Sequence, residues 1–102
     1  MNDRRAFADA FEREHGCTAA EWEGWLPAAV GEHMLFREAV RVARVHIGRG
    51  HLELRWEELP PRRIALLHLP RLRVQYRFDA VHADDRAAFM RRFDLFMQRG
   101  GG

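Results

Sequence analysis

Six histidines and a single cysteine carry the widest chemical range in this chain of 102 residues. His15 and Cys17 stand two apart, where a helix is expected to end. His46 and His51 flank Gly48-Arg49-Gly50, which reads as a hairpin turn. With Gly48-Arg49 as the two turn residues, these histidines oppose each other across the ladder, close enough to share a metal ion. With Arg49-Gly50 they do not. Zinc asks for four ligands and no third is expected near that turn, so neither a metal nor a cofactor is assigned. His33, His68 and His82 are isolated. His68 lies inside an apolar run and is expected to be buried, bonded to backbone.

No Ser-His-Asp order, nucleophile elbow or paired-carboxylate motif stands out. Gly48-Arg49-Gly50 lacks the length and the following helix of a phosphate loop. No catalytic residue is therefore assigned. An enzyme would need a pocket of convergent polar groups, for which His68, Tyr76 and Arg63 are the candidates.

Charge gives a second set of candidates. All seventeen cationic side chains are arginine. A chain that avoids lysine even at exposed positions reflects a GC-rich coding bias, so its arginine runs are weak evidence for nucleic acid. Residues 1–38 hold four Arg and eight acids, a net of −4; residues 39–82 hold nine Arg and four acids, a net of +5. Such asymmetry can steer an acidic ligand or bring two copies together. Arg71, Arg73 and Arg77 alternate along one expected strand and form a candidate anion-binding row. Tyr76 and Phe78 fall on its opposite face, where they read as core rather than as stacking platforms for bases.

The elements that position these residues follow from periodicity. Residues 3–15 read as an amphipathic helix, with Phe7 and Phe11 four apart between an Asp3 cap and a Gly16 stop. Thr18-Ala19-Ala20-Glu21 is a capping box, and Cys17 with Trp22 the matching hydrophobic staple. Residues 32–39 fit either a helix or a strand. The apolar register at Val40, Val42, Val45 and Ile47 slips by one residue, which suggests a bulge at Ala43-Arg44. His51–Glu58 alternates cleanly. Leu59-Pro60-Pro61 is expected to break the ladder, and Ile64–Leu69 to form a strand buried on both faces. Arg71–Phe78 alternates again, and a helix from Asp84 or Asp85 runs to about Arg99. The expected fold is α+β: an antiparallel sheet of three to four strands, with N-terminal helices and a C-terminal helix packed on one face. Residues 1–99 form a single domain and 100–102 a disordered Gly tail. No signal peptide or membrane-spanning window is present, and a cytoplasmic bacterial protein is expected.

The favoured role is non-enzymatic: a small module that binds a protein partner or a second copy of itself. Its contact residues are Trp22, Trp25, Phe36 and Leu95. The tryptophans share a short helix, Phe36 belongs to an apolar triplet that one amphipathic face cannot cover, and Leu95 falls on the polar side of the last helix. Anion or nucleic-acid binding through Arg71, Arg73 and Arg77 is the alternative.

Overall fold

The computed structural model describes residues 8–100. Its elements run β1 (Ala10–His15), α1 (Ala19–Ala29), β2 (Leu35–Ala39), β3 (Val42–Ile47), β4 (Gly50–Ile64), β5 (Leu67–Asp79) and α2 (Ala83–Gln98). The strands form one antiparallel sheet of five, in the order β1-β5-β4-β3-β2. Two strands lie beyond the clearest alternating patterns, which is why the sheet is wider than the three to four expected.

One of the added strands replaces a helix. Ala10–His15 pairs with Arg77–Leu72 of β5 rather than coiling. Phe11, Arg13 and His15 turn inward at a period of two, and an inward arginine and histidine disguise that period. The rest of the expected helix, with Asp3 and Phe7, lies outside the described residues, as do the last two glycines. Leu35–Ala39 is the other added strand. It resolves the ambiguity of residues 32–39, and Val40-Arg41 turns the chain into β3. The slip in apolar register is therefore a hairpin turn, not a bulge at Ala43-Arg44. Ala43, Val45 and Ile47 face the core, while the bulge sits in β2 between Arg37 and Ala39.

Gly48-Arg49 makes the next turn, with Gly48 at φ 59° where only glycine is unstrained. Gly50 is needed for a different reason. A Cβ there would collide with the carbonyl oxygens of Asp79 and Ala80.

Leu52, Leu54 and Trp56 of β4 and Leu72, Val74, Tyr76 and Phe78 of β5 point to the same side and are buried. Both helices cover them. The capping box holds: the Glu21 backbone N–H donates to the Thr18 hydroxyl at 3.0 Å, and the Thr18 N–H donates to Glu21 at 2.9 Å. The helix it starts runs on through Pro27 to Ala29. Trp22 packs on Trp56 at 4.8 Å between ring centroids, and Phe93 meets Tyr76 edge-on at 6.0 Å. On α2, Phe89, Met90, Phe93 and Met97 are buried and Phe96 packs at their margin.

Beyond Leu59 and Arg71 the β4–β5 hairpin leaves the core. Pairing lapses at Pro60-Pro61 and Pro70 and resumes at Arg62↔Leu69, Arg63↔His68 and Ile64↔Leu67. Proline has no N–H to give the ladder, so three of them at one level loosen it without ending it. The result is an arm. The radius of gyration is 14.2 Å, against about 13 Å for a compact chain of this length. The long axis is 46 Å. Among the described residues, no helix is long and apolar enough to cross a membrane.

Candidate functional site

The helix-free face of the sheet holds the arginine row. Arg71 donates to Glu14 at 2.7 and 2.9 Å, which holds the Glu14 carboxyl below its ordinary range. Arg73 lies 3.5 Å from Glu57. Arg77 pairs in register with Glu53, which accepts a hydrogen bond from Arg55 at 3.2 Å. Glu38 meets Arg44 at 3.0 Å. Strand pairing thus interleaves the arginines with glutamates. Cross-strand opposite charges support one another, and the net field over this face is small.

The expected partner-binding residues do not share a surface. Trp22 is 0% exposed and belongs to the core. Trp25 is half-buried against it. Phe36 is exposed on β2 beside the His46 ring, at 4.9 Å between centroids. Leu95 is exposed on α2, on the opposite side of the molecule from the open sheet face.

The titratable groups are also dispersed. His46 and His51 are directly paired across the β3–β4 turn, but among the described residues no three His, Cys, Asp or Glu side chains come together to hold a metal. Tyr76 is buried, whereas Arg63 and His68 are exposed on the arm. Tyr76 in the core and the other two on the arm stand apart and do not converge. Tyr76 instead shares a hydrogen bond of 3.1 Å with His15 Nε2. Burial raises the phenol's pKa and lowers that of the imidazole, so both stay neutral. Arg13 reaches from β1 to Asp94 on α2 and lies over the Phe11 and Tyr76 rings. Burial pushes the Cys17 thiol up to about 11, far from the reactive thiolate range. This cluster ties β1 to β5 and α2.

The arm is the feature that periodicity missed. Opposed residues in an antiparallel pair share a face, so Arg62, Ile64, Leu67 and Leu69 lie together, while Arg63 and His68 lie behind them. Ile64 is 50% exposed, Leu67 59%, Leu69 40%, and Leu66 at the turn 95%. The run expected to be buried on both faces is therefore the most exposed apolar segment described. His68, expected inside, is exposed with it. The tip from Ile64 to Leu67 has no polar side chain, and Arg62, Arg63 and His68 form a collar one step behind it. From Leu59 to Phe78 there are five arginines and no acid. The missing signal was a turn residue: Ala65-Leu66 makes the reversal, with Ala65 at φ 55°, a conformation usually given to glycine or asparagine.

Pro60, Pro61 and Pro70 stand at the base of the arm, where each lacks a backbone N–H. Beyond them the arm presents the side chains of Ile64, Leu66, Leu67 and Leu69 to water. No protein-family model and no curated protein matches the chain.

Proposed function

We propose that this chain is a non-enzymatic interaction module, and that the β4–β5 arm is its contact element. The observation that carries this reading is the exposure of Ile64, Leu66, Leu67 and Leu69 on a projecting hairpin. Four aliphatic side chains left in water add nothing to folding and lower solubility, and their burial against a protein partner would gain the hydrophobic free energy that folding leaves unused. An apolar centre rimmed by arginine is also the composition of a protein-binding patch. Phe36 and Leu95 are separate exposed positions that add to the surface available to a partner. The ion pairs of Arg71 and Arg73 favour this reading over anion binding through the sheet, since a polyanion would first have to displace Glu14 and Glu57.

Site-specific photo-crosslinking in cells tests the reading. A photoreactive residue at position 66 is expected to give discrete protein adducts, and one at Arg55 on the open sheet face is not. Equal labelling at both positions, or none at either, would remove the arm as the contact element.

A further inference from the structure

At the end of the molecule opposite the arm, a cleft of about 180 Å³ opens between α1, α2 and the tip of β3. Val30, Ile47 and Phe89 floor it, and His33, Asp85 and Arg92 stand at its rim. Asp85 and Arg92 both line it, with further carboxylates next to its lining residues in the chain. Asp84 and Asp85 occupy the first turn of α2, and Glu32 lies in the chain between the lining residues Val30 and His33. The Arg92 guanidinium folds back over Gly31, against the C-terminal end of α1, where a helix favours a cation.

We infer that the occupant of this cleft is the arm tip of a second copy, and that the chain associates head to tail through Leu66 and its neighbours. The two surfaces are complementary. One is an aliphatic tip collared by Arg62, Arg63 and His68 without an acid. The other is an apolar cleft, sized for a branched aliphatic side chain, with the Asp85 carboxylate on its rim and Asp84 and Glu32 next to lining residues in the chain. Two arms packed on each other would instead bring two arginine collars together, a like-charge arrangement. A chain cannot fill its own cleft. β5 runs from the arm to Asp79 beside the cleft end, and thirteen residues at about 3.4 Å each span roughly 40 Å, nearly the whole 46 Å axis. A contact between different surfaces does not close on itself after two copies, so it builds a ring or an open chain.

This inference rests on the reading of the arm as the contact element. Sedimentation of the purified chain from about 10 μM to about 1 mM tests it, since a hairpin tip in a small cleft makes a modest interface. The weight-average mass is expected to climb past twice the 12.0 kDa of one chain at low salt and to fall back in high salt. Leu66→Asp, which alters an exposed tip, and Ala88→Arg, which alters an exposed residue at the cleft mouth, are each expected to be monomeric alone. Mixed, they should form a dimer and nothing larger, because one retains an arm and the other a cleft.

A wild-type mass that stops at two copies, or a mixture that stays monomeric, would overturn head-to-tail association. So would a monomer at every concentration. If that monomer binds vesicles containing anionic lipid, and Leu66→Asp abolishes the binding, the occupant is a lipid surface. Discrete adducts from position 66 with another protein, beside a monomeric purified chain, would leave the arm as contact element and remove only the second copy. No adducts beside a monomer would remove both.

Discussion

The β4–β5 hairpin contains two environments in one pair of strands. From Gly50 to Leu59 and from Arg71 to Asp79 it is the centre of the sheet, flanked by β3 and β1 and covered on one face by both helices. From Arg62 to Leu69 the same two strands pair only with each other among the described residues, and their side chains are exposed. Both halves are rich in leucine. In the first half Leu52, Leu54 and Leu72 are fully buried; in the second, four aliphatic residues stand in water. What differs is the supply of surrounding elements. β1 ends at His15 opposite Leu72, and β3 begins at Val42 opposite Arg55, so neither neighbouring strand reaches the arm. The prolines at the boundary let one half extend without holding the other in register.

The sharpest way to break this comparison is to remove the same side chain from each half. Leu54→Ala leaves a cavity under α1 and α2 and is expected to cost about 2–5 kcal/mol. Leu67→Ala removes the same atoms from a surface already in contact with water and is expected to fall within about 0.5 kcal/mol. Urea unfolding of the monomer at low concentration measures both. Similar losses at the two sites would mean that the arm is packed in solution.

The same contrast explains what the sequence revealed. His51–Trp56 and Leu72–Phe78 alternate because one face is buried and the other wet, and a period of two reports that condition directly. The Thr18-Glu21 box and the final helix are likewise local signals, complete within a few residues. The arm is not local in this sense. A run such as Ile64–Leu69 reads the same whether it is sealed in a core or projects from it, because hydropathy records affinity and not cover. Ala65 gave no turn signal, and the prolines read as a stop where they are a loosened joint. β1 was hidden in the opposite way. Its ladder hydrogen bonds all come from β5, sixty residues away in the chain, and its inward face carries Arg13 and His15, which find Asp94 and Tyr76 only after folding.

Acid should act on the core half and spare the arm. Burial, and then the Arg13 guanidinium, hold the His15 imidazole below its ordinary 6.5, with Asp94 opposing them in part. As pH falls the unfolded chain takes up that proton first. Stability is therefore complete above about 6.5 and declines below it. The Glu14 carboxyl, lowered from 4.5 by Arg71, contributes further down, so the two effects separate. His15→Gln is expected to flatten the dependence of unfolding free energy on pH between roughly 5 and 7. An unchanged slope would place the titrating group elsewhere.

A smaller loss, about 1 kcal/mol, is expected for Thr18→Ala, which removes one half of the capping box at the start of the helix that covers β4. It should lower the melting temperature of the whole core. In the same sample, exchange protection of the arm amides should be no weaker than in the native chain at temperatures below the transition. Equal sensitivity in both regions would make the hairpin one cooperative unit.

The smallest effects sharpen the comparison furthest, because two alanines at opposite ends of β5 share one conformation. Ala65 has φ 55° at the arm tip and Ala80 has φ 57° where β5 leaves for α2; both are exposed. A left-handed backbone costs a non-glycine residue roughly 1–2 kcal/mol. Glycine relieves that cost but gives back roughly 0.5–1 kcal/mol through the freedom it adds to the unfolded chain. Ala80→Gly is therefore expected to raise global stability by about 0.5–1 kcal/mol, since the backbone of Asp79 and Ala80 packs directly on Gly50 at the edge of the core. Ala65→Gly relieves the same strain beyond the proline joint, where opening is local. It should slow hydrogen exchange at Leu67, which closes the turn with Ile64, and leave the midpoint of unfolding in place. A rise in that midpoint equal to the one from Ala80 would show that the prolines transmit order after all, and that the arm is held by the core rather than by its own turn.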